Sequence, residues 1–521
     1  MKKTTLRFLI AFSLLICCRT FAQSGTLDPS FGVGGKVSNY VGEYPVTFDT
    51  ALQADGKIVV VGNTQGNAPG SSFLVNRYLG NGNMDANFGT AGSVSTLAGH
   101  HCVANAVAIQ NDGKIVVAGT SFPTTTTTDI MVARYNSDGT PDTSFSGNGV
   151  QVLNIAGTQS INTVLIQNSG KIVVGGLFGQ PTNPNADTFG LARFNTDGSP
   201  DITFGSDGLV YTPNMPRGEI LDMKAMGNGD IVAVGRRLII NRYYMVKYTA
   251  DGEVITSFGP NGNGIVEVVL GQIAQLNRCV VAADDKIYAA GATFNGQKYN
   301  AFITKYNANG TIDNGFGSNG LILRDFGINT LGLSESSFAK DIAIDNNQNL
   351  IVGYSVGAPT DYDFGLESYT LYGVLNTGFG QNGLFRTTFG EGHDYFSCML
   401  IQPDNKIVMA GNRDLQVLAR VLNNGNLAVA DTGNTITQIL ASPNPFSQDE
   451  NLKLQINKSG TLAVELIDID GRILAPLIAK KQIQSGSTQE LDLSGLTLSK
   501  GMYFLKVTLD DETNVVKLLK K

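Results

Sequence analysis

Asp361 and Asp363 flank Tyr362 and form the one suggestive close carboxylate pair in the chain. Two carboxyl groups held roughly 5–10 Å apart can cleave a glycosidic bond without histidine, one as acid and the other as base or nucleophile. Strand or loop geometry can equally point such a pair apart. Other chemistry-bearing residues are few. The three histidines are His100, His101 and His393, and no HExxH, GxSxG, phosphate-binding loop or CxxC spacing occurs. The histidines fall in matching loops of distant repeat copies, so they read as exposed loop residues and not as a shared metal site. Asp345-Asn346-Asn347-Gln348-Asn349 imitates the start of a calcium loop, but it lacks the glycine at the sixth position and the acid at the twelfth. It coincides with a hairpin turn, which explains its composition. Cys102, Cys279 and Cys398 stand apart in the sequence and read as small buried apolar residues. No cofactor and no metal is expected.

Whatever these residues do, a repeat must position them. The phenylalanine of an FG-type turn recurs at Phe31, Phe88, Phe145, Phe204, Phe258, Phe316 and Phe379, at spacings of 57, 57, 59, 54, 58 and 63 residues. In phase with it runs an apolar KIVVxG segment beginning at Ile58, Ile115, Ile172, Ile231, Ile287, Leu350 and Ile407. A fixed period of this length marks a solenoid, propeller or array. Each copy shows four strand-like segments, in the first copy residues 36–41, 46–53, 57–62 and 73–79. Asp-Gly pairs such as Asp55-Gly56 sit between the second and third segments as hairpin turns. The KIVV segment is apolar on consecutive residues, as a strand covered on both faces must be. Gly is frequent (62 residues) and charged residues make up 16%, which suits short strands and tight turns. The expected fold is all-β, a seven-bladed β-propeller over residues 23–429. The last copy lacks an FG strand and the first FG strand lacks a blade, so the N-terminal strand should complete the seventh blade. That arrangement leaves no raw edge.

A cation precedes an aromatic residue at Arg77, Arg134, Arg193, Lys247 and Lys305, and an acid precedes the FG phenylalanine by three at Asp28, Asp85, Asp142, Asp201 and Asp313. Groups reused in nearly every copy read as scaffold, tying strand to turn through charge-assisted hydrogen bonds. The DG and FG turns are nearly uniform, whereas the loops between first and second and between third and fourth segments vary. In an up-and-down blade those two loop sets emerge at one end, where a rigid scaffold carries its function. Arg236, Arg237, Lys298, Tyr299, Asp361, Tyr362 and Asp363 are the candidate ligand contacts there. Each also fits an ordinary solvated loop position.

The ends of the chain carry sorting information. Residues 1–22 have a basic start, an apolar core from Phe8 to Cys18 and a Thr20-Phe21-Ala22 cleavage site, the plan of a secretory signal peptide. That core is too short to span a bilayer, and no other stretch reads as transmembrane. Without those residues the chain has 33 basic and 44 acidic residues, a net charge of −11, which argues against nucleic acid as a partner. Residues 430–440 read as a linker. Residues 441–521 alternate apolar and polar residues and read as a small C-terminal β-sandwich.

The units (D)xxFGxxGxV, DGKIVVxG and φxARYxxDG over residues 27–427 resemble the delta-sixty repeat family of secreted bacterial proteins. The resemblance implies a β-propeller-like secreted protein and no reaction. Ser442-Pro443-Asn444-Pro445-Phe446, the Asp470-Gly471-Arg472 turn and the Gly501-Met502-Tyr503-Phe504 ending with its basic tail resemble the C-terminal sorting domain of the type IX secretion system of Bacteroidota. This implies the type IX machinery as a partner and a secreted or outer-membrane-surface location after processing. Three functions fit. Recognition of a glycan or a surface protein comes first, because no catalytic constellation appears. A polysaccharide hydrolase or lyase is second, and a structural adhesin is third.

Overall fold

The computed structural model describes residues 24–520, apart from 42–44, 65–69, 126, 181–182, 214, 216, 238–241, 330–331, 424–438, 443–451, 457–458, 469–471, 485–486 and 511. The expected leader at 1–22, most of the linker, and the Pro443–Phe446 and Asp470-Gly471 landmarks lie outside the described residues. The chain divides into two compact units, Met1–Leu427 and Ala428–Lys521. Every regular element described is a strand.

The first unit is a set of antiparallel sheets arranged as propeller blades. Among the described residues it holds six four-stranded sheets and one five-stranded sheet. One of them runs Val46–Leu52, Ile58–Asn63, Phe73–Tyr78, Ser93–Thr96 from first to last strand. The first strands of successive sheets touch in order, and Tyr395–Ile401 of the last sheet touches Val46–Leu52 of the first.

The KIVVxG segment is the second strand of each sheet, and its burial explains its composition. Ile58, Val59, Val60 and Val61 are all fully buried. Val59 and Val61 pack with Ile115 and Val117 of the following sheet, whereas Ile58 and Val60 pack with Val408 and Leu418 of the preceding one. Each residue therefore buries a β-branched side chain against a neighbour, for roughly 1.5–3 kcal/mol apiece. The motif's glycine has a different cause. Each first strand carries a β-bulge at the same place, leaving Phe48, Asn105, Asn162, Leu221, Asn277, Lys340 and Ser397 unpaired. The bulge drives a backbone carbonyl toward the second strand. A Cβ on Gly62, Gly119, Gly176, Gly235, Gly291 or Gly411 would stand 1.7–2.0 Å from that oxygen.

The repeated charges lock the opposite end of each sheet. Arg134 Nε donates to Asp142 at 2.6 Å, Arg193 Nε to Asp201 at 2.6 Å, Arg77 Nε to Asp85 at 3.0 Å, and Lys305 Nζ pairs with Asp313 at 3.2 Å. The guanidinium also lies over the FG ring, Arg77 on Phe88 at 4.5 Å and Arg193 on Phe204 at 4.6 Å. It then reaches the next sheet, where Arg193 Nη1 donates to the Ala250 carbonyl at 2.9 Å. Asp142 and Asp201 are held below the usual carboxylate range: desolvation opposes this, but hydrogen bonds from Ser144 or Thr203 and from the cations prevail. In the fourth copy Ile255 replaces the acid, and Lys247 turns to Asp230 at 3.1 Å. In the sixth, Ser368 and Asn376 replace both charges together, so neither is stranded.

The ring closes through the N-terminus. Lys36–Asn39 and Thr26–Leu27 both pair antiparallel with Gln416–Leu422. Arg420 was missed by the cation-aromatic pattern because Val421 follows it. It supplies the same lock, donating to Asp28 at 2.9 Å and covering Phe31 at 4.8 Å. The Gly380 N–H meets the Ser24 carbonyl at 3.0 Å, as the Gly89 N–H meets Asp138 at 3.0 Å between two ordinary neighbours.

Around the axis, polar side chains stitch one first strand to the next. Asn105 donates to the Ile161 carbonyl at 2.6 Å, Asn162 to Ile220 at 2.8 Å and Asn277 to Ala339 at 2.6 Å. Elsewhere an acid one position later accepts a neighbouring N–H: Asp49 from Val107 at 3.0 Å, Asp222 from Cys279 at 3.0 Å and Asp341 from Met399 at 2.7 Å. Burial pushes Asp341 up to about 6, with Asp49 adding to the rise and Arg278 and the Met399 N–H opposing it.

In the second unit Ile439–Ser442, Leu452–Ile456 and Ser487–Leu491 form one sheet. Gly460–Ile467, Ile473–Ile483, Gly501–Leu509 and Glu512–Lys520 form the other. One core joins them, with Leu452 and Leu454 facing Leu462, Val464, Leu505 and Val507. Between these apolar positions, Glu465 and Lys506 pair on the outer face at 2.9 Å.

Two outcomes follow for stability. Arg420→Met should cost about 3 kcal/mol in urea unfolding, because it takes the buried guanidinium from Asp28 and leaves Lys406 at 3.4 Å as its remaining cation; Lys247→Met, at a more open pair, should cost about 1 kcal/mol or less. An Arg420→Met protein as stable as the parent would remove the lock from the account of closure. The second concerns pH. Asp341 holds its proton to about 6 in the fold but releases it near 3.8 when unfolded. Its contribution is intact below about pH 4 and is lost as the pH rises toward 6. Relative to Asp341→Asn, the parent should therefore lose stability between pH 4 and pH 7, and parallel pH curves for the two proteins would contradict this.

Candidate binding face

The bulged residues of the first strands face the axis, and all seven line one cavity of about 330 Å³. Arg278, Tyr395, Phe396, Ser355 and Asn412 complete its wall. The strand two residues upstream of each bulge sets the rim. That position holds Val46, Val103, Ser160, Glu219, Gln275, Phe338 and Tyr395 in order around the ring. It is apolar in two neighbouring sheets, polar in the next three and aromatic in the last two.

The aromatic sector extends into a continuous row. Tyr299 stands 5.0 Å from Phe294 and 4.7 Å from Phe338, ring centre to ring centre. Phe338 meets Tyr362 edge-on at 5.8 Å. Tyr362 stacks on His393 at 5.2 Å, and His393 stacks on Tyr395 at 5.2 Å. The row crosses three adjacent sheets, because Tyr299, Tyr362 and Tyr395 come from the strands Tyr299–Tyr306, Asp361–Thr370 and Tyr395–Ile401. Tyr395 is 46% exposed and borders the axial cavity, so row and cavity form one surface. Burial raises the Tyr362 hydroxyl above its ordinary value, which keeps it a neutral donor and acceptor.

The polar sector is a belt. Asn162 donates to Glu219 at 3.0 Å, Arg236 donates to Glu219 at 3.0 Å and to Gln275 at 2.8 Å, and Gln275 donates to Asn277 at 2.8 Å. Arg236 thus serves as a bridge between sheets.

The sequence candidates divide accordingly. Tyr299 and Tyr362 join the row. Lys298 is paired with Asp325 and donates to the Gly327 carbonyl at 3.3 Å. Arg237 lies beside Tyr244 and Glu267, away from Arg236. Asp363 is held by Arg386 at 2.7 Å, and Arg386 also binds Glu335 at 2.8 Å. Strand alternation puts Asp361 and Asp363 on the opposite face from Tyr362. Burial and the nearby Asp361 raise Asp363, against the pull of Arg386. The carboxylate pair therefore does not converge on the aromatic row.

His100 is exposed in its loop, as expected, but the other two histidines differ. His101 is buried within the strand His101–Ile109 and stacks on Phe122 at 4.0 Å, so it is not an exposed loop residue. His393 is wedged between two tyrosines. Asp345 accepts N–H groups from Asn347 at 2.9 Å and Asn349 at 2.7 Å, which is turn chemistry. Cys102, Cys279 and Cys398 are free and buried. Among the described residues no cluster of three His, Cys, Asp or Glu could hold a metal ion. Phe338 and Lys340 lie at strand positions beyond the variable loops, and Phe294 and Tyr395, at loop ends, were not among the candidates. Aligning the copies on the residue before the KIVV turn would have exposed Phe338 and Tyr395 as departures in their column.

Comparison with known proteins agrees with this architecture. Residues 53–88, 110–145, 167–204 and 282–316 match the family described as a domain of unknown function (DUF5122) beta-propeller. Residues 442–521 match the secretion system C-terminal sorting domain. No curated protein matches the chain. Among solved structures, a fungal alcohol oxidase of the AA5 family is 11% identical, with 94% of this chain and 100% of that one covered and a TM-score of 0.41. PorZ, a surface component of the type IX secretion system of Porphyromonas gingivalis, is 10% identical, with 89% and 68% covered and a TM-score of 0.31. YCF48 from Cyanidioschyzon merolae is 10% identical, with 74% and 99% covered and a TM-score of 0.40. Among the described residues no helix is long and apolar enough to cross a membrane. The chain is a β-propeller repeat protein carrying a type IX secretion sorting tail, which marks it for the cell surface or for secretion.

Proposed function

We propose that this protein is a surface-displayed or secreted recognition module that binds a polysaccharide across the aromatic row at the variable-loop end of the propeller. In this reading residues 23–429 form one ring of seven blades behind a leader at 1–22. Residues 441–521 form a sandwich, joined through the linker at 430–440, that addresses the chain to the secretion machinery. The row from Tyr299 through Phe338 and Tyr362 to Tyr395 carries the proposal. A saccharide ring has an apolar C–H face and a polar edge. Tyrosine offers a flat apolar face and one hydroxyl, and it costs little conformational entropy to order. A row on three adjacent sheets can seat successive sugar units, while the amide nitrogen of Asn412 can supply a hydrogen bond from the cavity. A protein ligand has no such observation in its favour. Hydrolysis also lacks support, since Asp363 is committed to Arg386 behind the row.

Binding of the purified protein to a polysaccharide panel, with release of reducing sugar followed in parallel, tests the reading. Tyr362→Ala should weaken binding about tenfold, the loss of one stacked ring, without changing the unfolding temperature. Undiminished binding by that variant would place the ligand elsewhere. Sugar release would establish the hydrolase instead.

A further inference from the structure

Lys340 is the cation in the bulge column, where the other six copies place Phe, Asn, Leu or Ser. Asparagine there stitches its strand to the next. Lys340 makes no such bond, and among the described residues it has no carboxylate partner. Its ammonium sits 5.7 Å over the Phe338 ring. Burial lowers its pKa, and Arg236 and Arg278, both of its own sign, lower it further. Those two arginines are already answered, Arg236 by Glu219 at 3.0 Å and Arg278 by Asp49 at 3.9 Å. Lys340 is not, although it lines the axial cavity and touches the aromatic row. The cavity's size falls within the range of small-molecule sites, about 300–1,000 Å³.

Resting on the recognition reading, we propose that the ligand is an acidic polysaccharide, with Lys340 pairing the carboxylate of a uronic acid whose ring lies against Tyr395 and Phe338. A lone half-buried ammonium pays desolvation that a scaffold position has no need of, and an incoming carboxylate restores a partner. The chain's net negative charge does not oppose this. At 0.15 M salt the screening length is about 8 Å, so charges on the outer surface scarcely reach the cavity.

The test uses the full protein at 0.15 M salt with polygalacturonate, alginate and hyaluronan. Each is paired with its carboxyl-reduced neutral form. The parent should bind at least one acidic polymer about tenfold tighter than its neutral partner, the worth of one charge-assisted contact. Lys340→Gln should abolish that preference while leaving neutral binding intact, and Lys340→Arg should keep it. Tyr362→Ala should weaken both forms alike. Equal affinity of the parent for acidic and neutral forms overturns the inference while sparing the recognition reading, whatever the variants do. A preference that survives in Lys340→Gln also overturns it. Failure of the parent to bind any polymer, acidic or neutral, here or across the wider panel, sinks the recognition reading itself.

Discussion

The structure depends on one buried contact made five times, a cation on the third strand with an aspartate from the following turn, and in the four arginine copies the turn's phenylalanine joins it. Each such cation is almost fully covered, with Arg77, Arg134, Arg193, Lys305 and Arg420 all 3–5% exposed. A covered charge without a partner would cost several kcal/mol, and the pair roughly cancels that cost without a large surplus. Its value lies in what it joins. In the arginine copies one guanidinium fixes strand to turn, seals the phenylalanine and donates to the neighbouring sheet. The sixth copy shows the rule by its exception, because Ser368 and Asn376 replace both charges at once.

Closure uses the same contact with its parts split between the chain ends. Asp28 and Phe31 come from the N-terminal strand and Arg420 from the last. The lock forms only when residues nearly 400 positions apart in the chain have met. Local pairs such as Arg134 and Asp142, eight residues apart, can form within their own copy. The closing lock pays the loop entropy of the whole ring, and the ladders that Gln416–Leu422 makes with Thr26–Leu27 and Lys36–Asn39 offset it.

Much of this was legible in the sequence, for physical reasons. Period, turn glycines and doubly buried strands are local requirements, so the repeat had to show them. The split blade followed from counting strands. Arg420 escaped because its neighbour Val421 broke the pattern, although its partners Asp28 and Phe31 were both in view. The site was harder. Loop variability gathered Tyr299 and Tyr362, which join the aromatic row, together with Arg236, Lys298 and Asp363. Those three have partners drawn from other strands, which no local pattern announces. Phe338 lies one residue beyond a variable loop, and Tyr395 at a loop's end was not among the candidates. Their difference appears when the seven copies are aligned on the residue before the KIVV turn.

The bulge reconciles a uniform scaffold with a specific site. At the turn end every sheet must present the same lock, so those residues are not free to vary. At the other end the bulge lifts one residue per strand out of the ladder and turns it to the axis. In six sheets a glycine on the second strand absorbs the backbone displacement, and in the Lys340 sheet Tyr354 stands at that position; in all seven the side chain at the bulge stands outside the ladder. Asparagine there contributes to stitching, but Lys340, Leu221 and Ser397 show that the sheet forms without it. In those three sheets Asp341 and Asp222 take over the bridge from the next position, and in the Ser397 sheet Asn412 does so from the second strand, accepting the Thr47 N–H at 3.0 Å. Because two positions share one structural duty, one of them can be given to a ligand. The ring therefore has an axis-facing position that can vary without losing a sheet-to-sheet bond.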